Sequence, residues 1–323
     1  MKYNPYIGHP SQLCAVEDVR LIGGKGDGMR LLQIRNAAGL EMTISVDRCA
    51  DISRLIFKGD NMGYYSPSGY VAPSYYDHVG AGFLKSFTAG FLTTCGLTAV
   101  GNPCEDDGET TGLHGSIGNT PCERIWWNED EENLYIHAIV NDSGIFSRKL
   151  VLKRLITVSK SSNRFTIADT VENQGDTVSP VMILYHMNMG YPLLSEQSLV
   201  EISSIDVKAR NAHAADGLDS WHQMLPPTPG FEEQCYFHSF GEEGRASIYN
   251  PDINKGLSIT FNPKNLDYFT EWKMMGYRDY VLGLEPGNCH PDGRDAMRKE
   301  GTLKFLQPGA CVAYKVSVNL YEK

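Results

Sequence analysis

Apolar and polar residues alternate in short runs along nearly the whole chain, and few segments place apolar residues at the 3.6-residue spacing of a helix. Gly, Pro, Asn and Asp residues that favour turns separate these runs. Strands that follow one another without intervening helices are typical of an antiparallel sandwich rather than a parallel α/β fold. The pattern predicts strands over residues 19–22, 30–35, 40–46, 53–57, 134–140, 149–158, 164–171, 200–207, 236–240, 246–249, 256–261, 268–273, 280–284, 301–305 and 310–320.

These strands predict an all-β protein in one large domain over residues 1–323, although a chain of this length also permits two domains. Two segments do not fit a simple strand pattern. Residues 62–82 are rich in Gly, Pro, Ser and Tyr and predict a long ordered loop, whereas residues 83–97 fit a strand or a buried turn equally well.

The run 181–194, VMILYHMNMGYPLL, is apolar nearly throughout until Gly190 and Pro192 end it, which predicts a strand that is buried on both faces. Such a strand holds His186 and Asn188 only if their polar atoms have partners or face a cavity. For a lone histidine, a core position bonded to a backbone carbonyl is the more frequent outcome. His186 is still a candidate site residue, because other polar residues stand in comparable positions.

Three further polar residues stand where polarity is costly or where the chain turns: Arg48, His114 and Glu285. Glu285 follows the apolar strand 280–284 and precedes a Pro-Gly pair, so we expect it at the end of a buried strand. Burial raises the pKa of a carboxylate and suits it to general-base catalysis near neutral pH, while a paired or backbone-capped charge is an equal alternative. His114 lies in a Gly-rich loop, where small neighbours let a ligand approach closely.

Two histidines and one carboxylate on separate elements fit two kinds of site. They can form an acid/base pair with a third group that orients it, or a metal site of two imidazoles and a carboxylate. No His-x-His or His-x-x-x-His spacing supplies two metal ligands from one element, which favours the acid/base interpretation. The residues alone leave both alternatives open.

The composition of the chain limits the classes of molecule that we expect it to bind. The formal net charge is -10 and the pI is near 5.4, without a basic stripe, so we expect neither nucleic acid nor a membrane surface as a partner. The first residues contain no apolar segment of an export signal, and no run of 18 apolar residues occurs. Eight cysteines without a Cys-x-x-Cys pair indicate reduced thiols, and we therefore expect a cytoplasmic protein.

The order of the polar motifs resembles the aldose 1-epimerase (galactose mutarotase-like) superfamily, and more narrowly its bacterial aldose epimerase-like branch. The resemblance spans most of the chain, and it implies a large antiparallel β-supersandwich, in agreement with the strand pattern. The motifs that carry it are Gly-Leu-His114-Gly, Tyr-His186-Met-Asn-Met-Gly-Tyr-Pro, Gly-Leu-Glu285-Pro-Gly-Asn, Asp47-Arg48-Cys-Ala-Asp51-Ile, Thr-Thr-Cys95-Gly-Leu and Glu271-Trp-Lys-Met-Met-Gly.

The resemblance also implies roles for these residues. Glu285 would take the proton of the anomeric hydroxyl while His186 protonates the ring oxygen, so that the sugar ring opens, and reclosure with the roles reversed gives the other anomer. His114 matches the family histidine that holds the sugar near its ring oxygen. No nucleophile, metal or other cofactor is required. We further expect four residues to bind the sugar: Arg48, Asn188, Glu271 and Lys273.

The chain departs from galactose mutarotases at the second histidine, where those enzymes carry Asn-His-x-Tyr-Phe-Asn-Leu and this chain has Tyr185 before His186. We therefore expect a different pocket wall and a sugar other than galactose. A sugar mutarotase is the leading hypothesis. The alternatives are a carbohydrate-binding protein without turnover, and a metal-dependent sugar isomerase or lyase whose ligands are His114, His186 and Glu285. Exposed sheet edges lead us to expect that a homodimer can form.

Overall fold

The computed structural model describes residues 5–323. Strands occur along this whole range, as the two-residue alternation of apolar and polar residues predicts. The first ten strands are β1 (Ala15–Arg20), β2 (Arg30–Arg35), β3 (Leu40–Ser45), β4 (Asp51–Phe57), β5 (Asp60–Asn61), β6 (Tyr64–Tyr65), β7 (Ala89–Gly90), β8 (Leu92–Leu97), β9 (Cys104–Asp106) and β10 (Glu109–Thr111). The next eight are β11 (Arg124–Glu129), β12 (Asn133–Ser143), β13 (Lys149–Ser159), β14 (Arg164–Asn173), β15 (Ser179–Pro180), β16 (Met182–Met189), β17 (Leu199–Ile202) and β18 (Asp206–Ala209). The remaining strands are β19 (Gln234–Ser239), β20 (Gly244–Asn250), β21 (Lys255–Phe261), β22 (Tyr268–Met275), β23 (Tyr280–Gly287), β24 (Phe305–Leu306) and β25 (Cys311–Tyr321).

Helices are short. The described part of the chain, residues 5–323, has two α-helices, α1 (Ala212–Ala215) and α2 (Arg294–Lys299). Single 3-10 turns occur at Pro10–Gln12, Gly24–Gly26, Pro73–Tyr75, Gly82–Lys85, Ile117–Asn119 and Leu218–Ser220. Within residues 5–323 no helix has the length and apolar character needed to cross a membrane. The amino-terminal segment in which we expect no export signal begins with residues 1–4, which lie outside the described residues.

Three large antiparallel sheets share one apolar core. An eight-stranded sheet has the order β11-β12-β13-β14-β25-β21-β20-β17, a six-stranded sheet has the order β18-β19-β22-β23-β16-β8, and β1 to β5 form a five-stranded sheet. One buried cluster contains Ile44 from the five-stranded sheet, Ile156 from the eight-stranded sheet and Leu282 from the six-stranded sheet. Every residue of β16 is buried, because the core covers one face of this strand and the pocket-forming loops cover the other.

The side chain of Arg154 on β13 links the three sheets through the middle of this core. Its guanidinium bonds both carboxylate oxygens of Asp169 on β14 at 2.9 and 2.7 Å, and it bonds Asp51 on β4 at 2.8 Å. It also donates to the Thr94 hydroxyl on β8 at 2.8 Å and to the Cys49 carbonyl at 3.0 Å. All five N–H donors of the arginine are therefore used, which is the condition under which a fully buried cation is tolerated.

The predicted all-β antiparallel fold class is confirmed, and the segment 181–194 forms β16 and then a turn, as predicted. Several boundaries differ: β1 begins at Ala15 rather than at residue 19, the predicted strand 200–207 is divided into β17 and β18, and β23 continues through Glu285 to Gly287 where a break was predicted at Pro286. Proline is tolerated there because the ladder between β16 and β23 is interrupted beside it, so the absent N–H is not needed. The single-domain organisation of residues 1–323 stays a prediction.

Replacing the buried cation tests how strongly the three sheets depend on it. We expect Arg154→Met to lower the free energy of unfolding by about 3–5 kcal/mol, because it leaves the Asp169 and Asp51 carboxylates buried without their partner. Lys153→Met is the matched control, since Lys153 on the same strand forms an exposed pair with Glu172 that contributes about 1 kcal/mol or less. Urea denaturation followed by fluorescence measures both, and equal losses in the two variants would contradict the assignment.

Candidate active site

The face of the six-stranded sheet turned away from the shared core carries a row of four polar side chains. The strand registers place Thr93 on β8 opposite His186 on β16, and Thr270 on β22 opposite Glu285 on β23. The register between β16 and β23 places His186 beside Glu285. Antiparallel partners project to the same face of a sheet, so Thr93, His186, Glu285 and Thr270 follow one another across four neighbouring strands.

His186 and Glu285 are in direct contact. The His186 Nδ1 and Glu285 Oε1 atoms are 3.1 Å apart, and the two residues are 5% and 2% exposed. The angles are not those of a hydrogen bond, so in residues 5–323 each of these two atoms is buried without a hydrogen-bond partner. Buried polar atoms without partners are rare in folded proteins, and two at one place indicate groups that await a ligand.

Burial shifts the pKa values of the pair in opposite directions. It raises the pKa of Glu285 well above the ordinary carboxyl value, an effect that the Glu233 carboxylate strengthens and the Arg210 guanidinium opposes. It lowers the pKa of His186 to about 3, with a further contribution from His114. Above the lowered pKa of His186 and below the raised pKa of Glu285, the pair therefore holds one proton between its two members.

A glycine creates the space that the Glu285 carboxylate occupies. A methyl group built on Gly283, two residues earlier on β23, would overlap with Glu285 Oε1 and would approach the Cβ of Trp272 to 3.1 Å. The carboxylate therefore lies directly over Gly283, where any larger residue would displace it. The backbone of Gly283 does not have the positive φ that favours glycine, so the requirement is steric rather than conformational.

His114 reaches the same site from a tight turn. Its φ is +60°, its backbone N–H donates to the Gly101 carbonyl at 2.9 Å, and Tyr76 from the 62–82 segment fixes the turn by donating its hydroxyl hydrogen to the Gly115 carbonyl. The imidazole Nδ1 accepts the Gly101 N–H at 3.4 Å, which leaves the proton of the neutral ring on Nε2. Burial first and Arg210 second lower the pKa of His114 to about 4, so the ring is a neutral donor at pH 7.

These side chains line a cavity of about 190 Å³. This volume is smaller than that of sites for drug-sized ligands, and it suits one small molecule such as a monosaccharide. One wall is apolar and consists of Phe83, Leu84, Phe87, Leu113 and Trp272. The rings of Phe87 and Trp272 lie 5.2 Å from the His186 ring, measured between centroids. The polar lining consists of Asn102, His114, His186, Arg210, Glu233, Thr270 and Glu285.

The sequence did not identify two charged residues that line this cavity, Arg210 and Glu233. Arg210 follows β18 and donates to Asp292 at 2.8 Å, and Glu233 precedes β19 and accepts the Trp272 indole N–H at 2.7 Å. Both stand in polar segments of the sequence with many similar residues, so no sequence signal distinguishes them. Trp272, which stands between Glu271 and Lys273, does lie in the cavity.

Four predicted sugar-binding residues do not line this cavity. Arg48 is buried elsewhere, where Nη1 donates to the Val71 carbonyl at 3.1 Å and Nη2 has no partner within residues 5–323. Burial lowers the pKa of Arg48 to about 10. Asn188 shares the face of His186, but its amide donates to the His186 carbonyl at 2.9 Å. The structure thus brings His114, His186 and Glu285 together and leaves Arg48 and Asn188 outside.

Glu271 and Lys273 lie on the opposite face of the sheet, because the two-residue period places them out of phase with Thr270 and Trp272. Glu271 Oε2 is 3.2 Å from His238 Nε2, and both side chains are fully buried. Lys273 donates to the carbonyls of the 218–221 turn at 3.3 and 3.4 Å. Both residues therefore contact the core side of β22 rather than the cavity.

Within residues 5–323, no three His, Cys, Asp or Glu side chains are grouped so that they could hold one metal ion. The rings of His114 and His186 are edge to face, with their centroids 5.5 Å apart. His114, His186 and Glu285 share the cavity without forming a three-ligand set, so this geometry does not favour the metal-dependent alternative.

The chain matches one family of sequences, described as "Domain of unknown function (DUF4432)", over residues 26–320. No curated protein sequence matches it. Among solved structures, a Klebsiella pneumoniae protein that is provisionally named an aldose 1-epimerase has 28% identity and a TM-score of 0.90, with 95% of this chain and 83% of that chain covered.

Two further structures share the fold at low identity. A galactose mutarotase-like protein from Clostridium acetobutylicum has 13% identity and a TM-score of 0.67, with 97% of this chain and 100% of that chain covered. A galactose 1-epimerase from Lactobacillus acidophilus has 12% identity and a TM-score of 0.64, with 96% and 99% covered. The resemblance to aldose 1-epimerases and the galactose mutarotase-like sandwich are confirmed by these structures.

Adding one methyl group beneath Glu285 tests the packing of the pair. We expect Gly283→Ala to move the carboxylate so that the 3.1 Å approach to His186 is lost, at a stability cost of about 1–3 kcal/mol for overpacking. Gly241→Ala is the control, because a Cβ there meets open space. Crystal structures and thermal unfolding measure both effects, and an unchanged separation in Gly283→Ala would contradict this account.

Proposed function

We propose that this chain, which belongs to the DUF4432 family, is a sugar mutarotase: an aldose 1-epimerase-like enzyme that interconverts the α and β anomers of a monosaccharide. The observation that carries the proposal is the buried contact between His186 and Glu285 in a cavity the size of one sugar. The structural likeness to a protein provisionally named an aldose 1-epimerase supports it.

The reaction requires an acid and a base that act on two oxygens of the same carbon. The anomeric hydroxyl and the ring oxygen are both bonded to C1, so the acid and the base must converge on two neighbouring oxygens. His186 Nδ1 and Glu285 Oε1 meet this requirement, and neither has another hydrogen-bond partner within residues 5–323. An acid/base pair aimed at more distant atoms would not need this contact.

Ring opening uses the pair as imidazolium and carboxylate. Glu285 accepts the proton of the anomeric hydroxyl, the C1–O bond to the ring oxygen breaks as the C1 carbonyl forms, and His186 gives its proton to the departing ring oxygen. Rotation about C1–C2 presents the other face of the aldehyde. Reclosure reverses both transfers: His186 removes the proton of the attacking hydroxyl and Glu285 returns a proton to the carbonyl oxygen. The enzyme ends as it began, and no net proton is exchanged with solvent.

The electrostatics of the site act on the charge state of the pair. Burial raises the pKa of Glu285 and lowers that of His186, so the cavity stabilises the neutral form of the pair. Ring opening in this direction starts from the ionic pair, whose formation therefore costs free energy, and the two proton transfers return the pair to a neutral carboxylic acid and a neutral imidazole.

The remaining cavity residues hold the sugar. The neutral His114 ring presents Nε2–H as a donor beside His186, which suits a hydrogen bond to the ring oxygen region. Arg210 and Glu233 provide a donor and an acceptor for sugar hydroxyls, and Trp272 presents its ring to a C–H face of the sugar.

Removing the carboxylate tests the proposal directly. We expect Glu285→Gln to reduce the enzymatic rate of anomer interconversion by roughly 10²–10⁴-fold, because the amide cannot accept the hydroxyl proton. Exchange NMR between the anomers of a panel of hexoses and pentoses measures the rate, and thermal unfolding checks the fold. Glu201→Gln, which changes an exposed carboxylate on β17, is the control. Normal rates in Glu285→Gln would refute the assignment, and sugar binding without any acceleration by the unaltered protein would favour the carbohydrate-binding alternative.

The pKa shifts predict an unusually flat pH profile. As pH falls, the pair takes a second proton only near the lowered His186 pKa of about 3, and as pH rises it keeps its single proton to well above the ordinary carboxyl pKa. His114 also stays neutral above its pKa of about 4. We therefore expect kcat/KM to show no falling limb on the acid side until the pH approaches these histidine pKa values of about 3 and 4. A falling limb with an apparent pKa near 6.5, as an exposed histidine gives, would contradict the prediction.

A further inference from the structure

The hydroxyl of Thr270 belongs to the polar row, and the mechanism does not use it. Thr270 lines the cavity next to Glu285, the residue is 1% exposed, and its Oγ1 has no hydrogen-bond partner within residues 5–323. Thr93, at the other end of the row, bonds its hydroxyl to the Ala89 carbonyl at 2.8 Å. A buried hydroxyl without a partner destabilises the fold, whereas a valine of the same shape would not. The Thr270 hydroxyl is therefore explained by a partner that arrives with the ligand.

The order of the strands indicates which group of the sugar bonds the Thr270 hydroxyl. Across the sheet, β16, β23 and β22 are neighbours in that order, so His186 and Thr270 lie on opposite sides of Glu285. In the proposed mechanism the ring oxygen lies at His186 and the anomeric hydroxyl at Glu285. The ring oxygen and C2 are the two ring atoms bonded to C1, and they lie on opposite sides of it. C2 and its hydroxyl are therefore directed towards β22 and Thr270.

We propose that Thr270 binds the hydroxyl group on C2, the carbon next to the anomeric carbon, and that the substrates are aldoses that carry this hydroxyl. The inference rests on the proposed mutarotase function and adds a substrate class to it. Thr270 both donates and accepts, so it can bond this hydroxyl in either direction. A 2-deoxy sugar would leave the Thr270 oxygen buried and unpaired, and the site discriminates against it for that reason.

Matched pairs of sugars test the inference whichever aldose is the natural substrate. The pairs are D-glucose with 2-deoxy-D-glucose, D-galactose with 2-deoxy-D-galactose, and D-ribose with 2-deoxy-D-ribose. Exchange NMR gives kcat/KM for each sugar after subtraction of its spontaneous rate. In a cycle that combines sugar and protein changes, the intrinsic reactivity of each sugar cancels, so the readout is the change in the ratio between the two sugars of a pair.

We expect Thr270→Val to reduce the preference for the 2-hydroxy sugar by roughly 10-fold, which is the effect of one neutral hydrogen bond, while Thr270→Ser retains the preference. Thr93→Val is the matched control and leaves the ratio unchanged, since that hydroxyl already has a partner. Thermal unfolding should show no loss of stability in Thr270→Val, because the removed hydroxyl makes no hydrogen bond within residues 5–323.

The outcomes separate the inference from the function on which it rests. Catalysis by the unaltered protein with the same ratio in Thr270→Val would overturn the role of Thr270 and leave the mutarotase function intact. The absence of catalysis with all six sugars would overturn both. A ratio that falls in Thr270→Val but not in Thr93→Val supports the assignment.

Discussion

The fully satisfied Arg154 guanidinium is the interaction on which the position of the candidate site depends. Its partners come from β4, β8 and β14, so with β13 it holds strands of all three large sheets in one arrangement. Tyr185 joins the same network by donating to Asp169 at 2.8 Å. Tyr185 and Thr94 face the network, and their sequence neighbours His186 and Thr93 face the opposite side. Because neighbouring residues of a strand point to opposite faces, the ion network that holds Tyr185 and Thr94 also fixes the orientation of His186 on the other face of the sheet.

The cavity combines two requirements that conflict in most proteins. A monosaccharide needs polar partners, whereas the perturbed pKa values of Glu285 and His186 require that water is kept away. The apolar wall of Phe83, Phe87 and Trp272 on one side and the polar row on the other meet both requirements. The charges of the cavity lining are partly balanced within the protein, because Arg210 pairs with Asp292. An uncharged sugar fits this balance without the desolvation of a further charge.

Much of this arrangement could be predicted from the sequence, and the failures have specific physical reasons. His186 and Glu285 were recognisable because a polar residue in an apolar strand is costly, and His114 because of its glycine neighbours and motif. Thr270 gave no such signal, since threonine is common in strands and a missing hydrogen bond is visible only in three dimensions. The placement of Glu271 and Lys273 depends on which face of β22 meets the core. Both faces of that strand mix polar and apolar residues, so its alternation does not identify the inner face.

The composition of the cavity lining has a consequence for the chemistry of the opened sugar. A free aldehyde reacts with amines, and the lysine side chains of other proteins are its most abundant targets. On the proposed mechanism, the carbonyl of the opened sugar forms beside His186 and Glu285, in a cavity of about 190 Å³ whose lining, within residues 5–323, contains no lysine. The described residues that surround the reactive carbonyl therefore include no primary amine with which it could react.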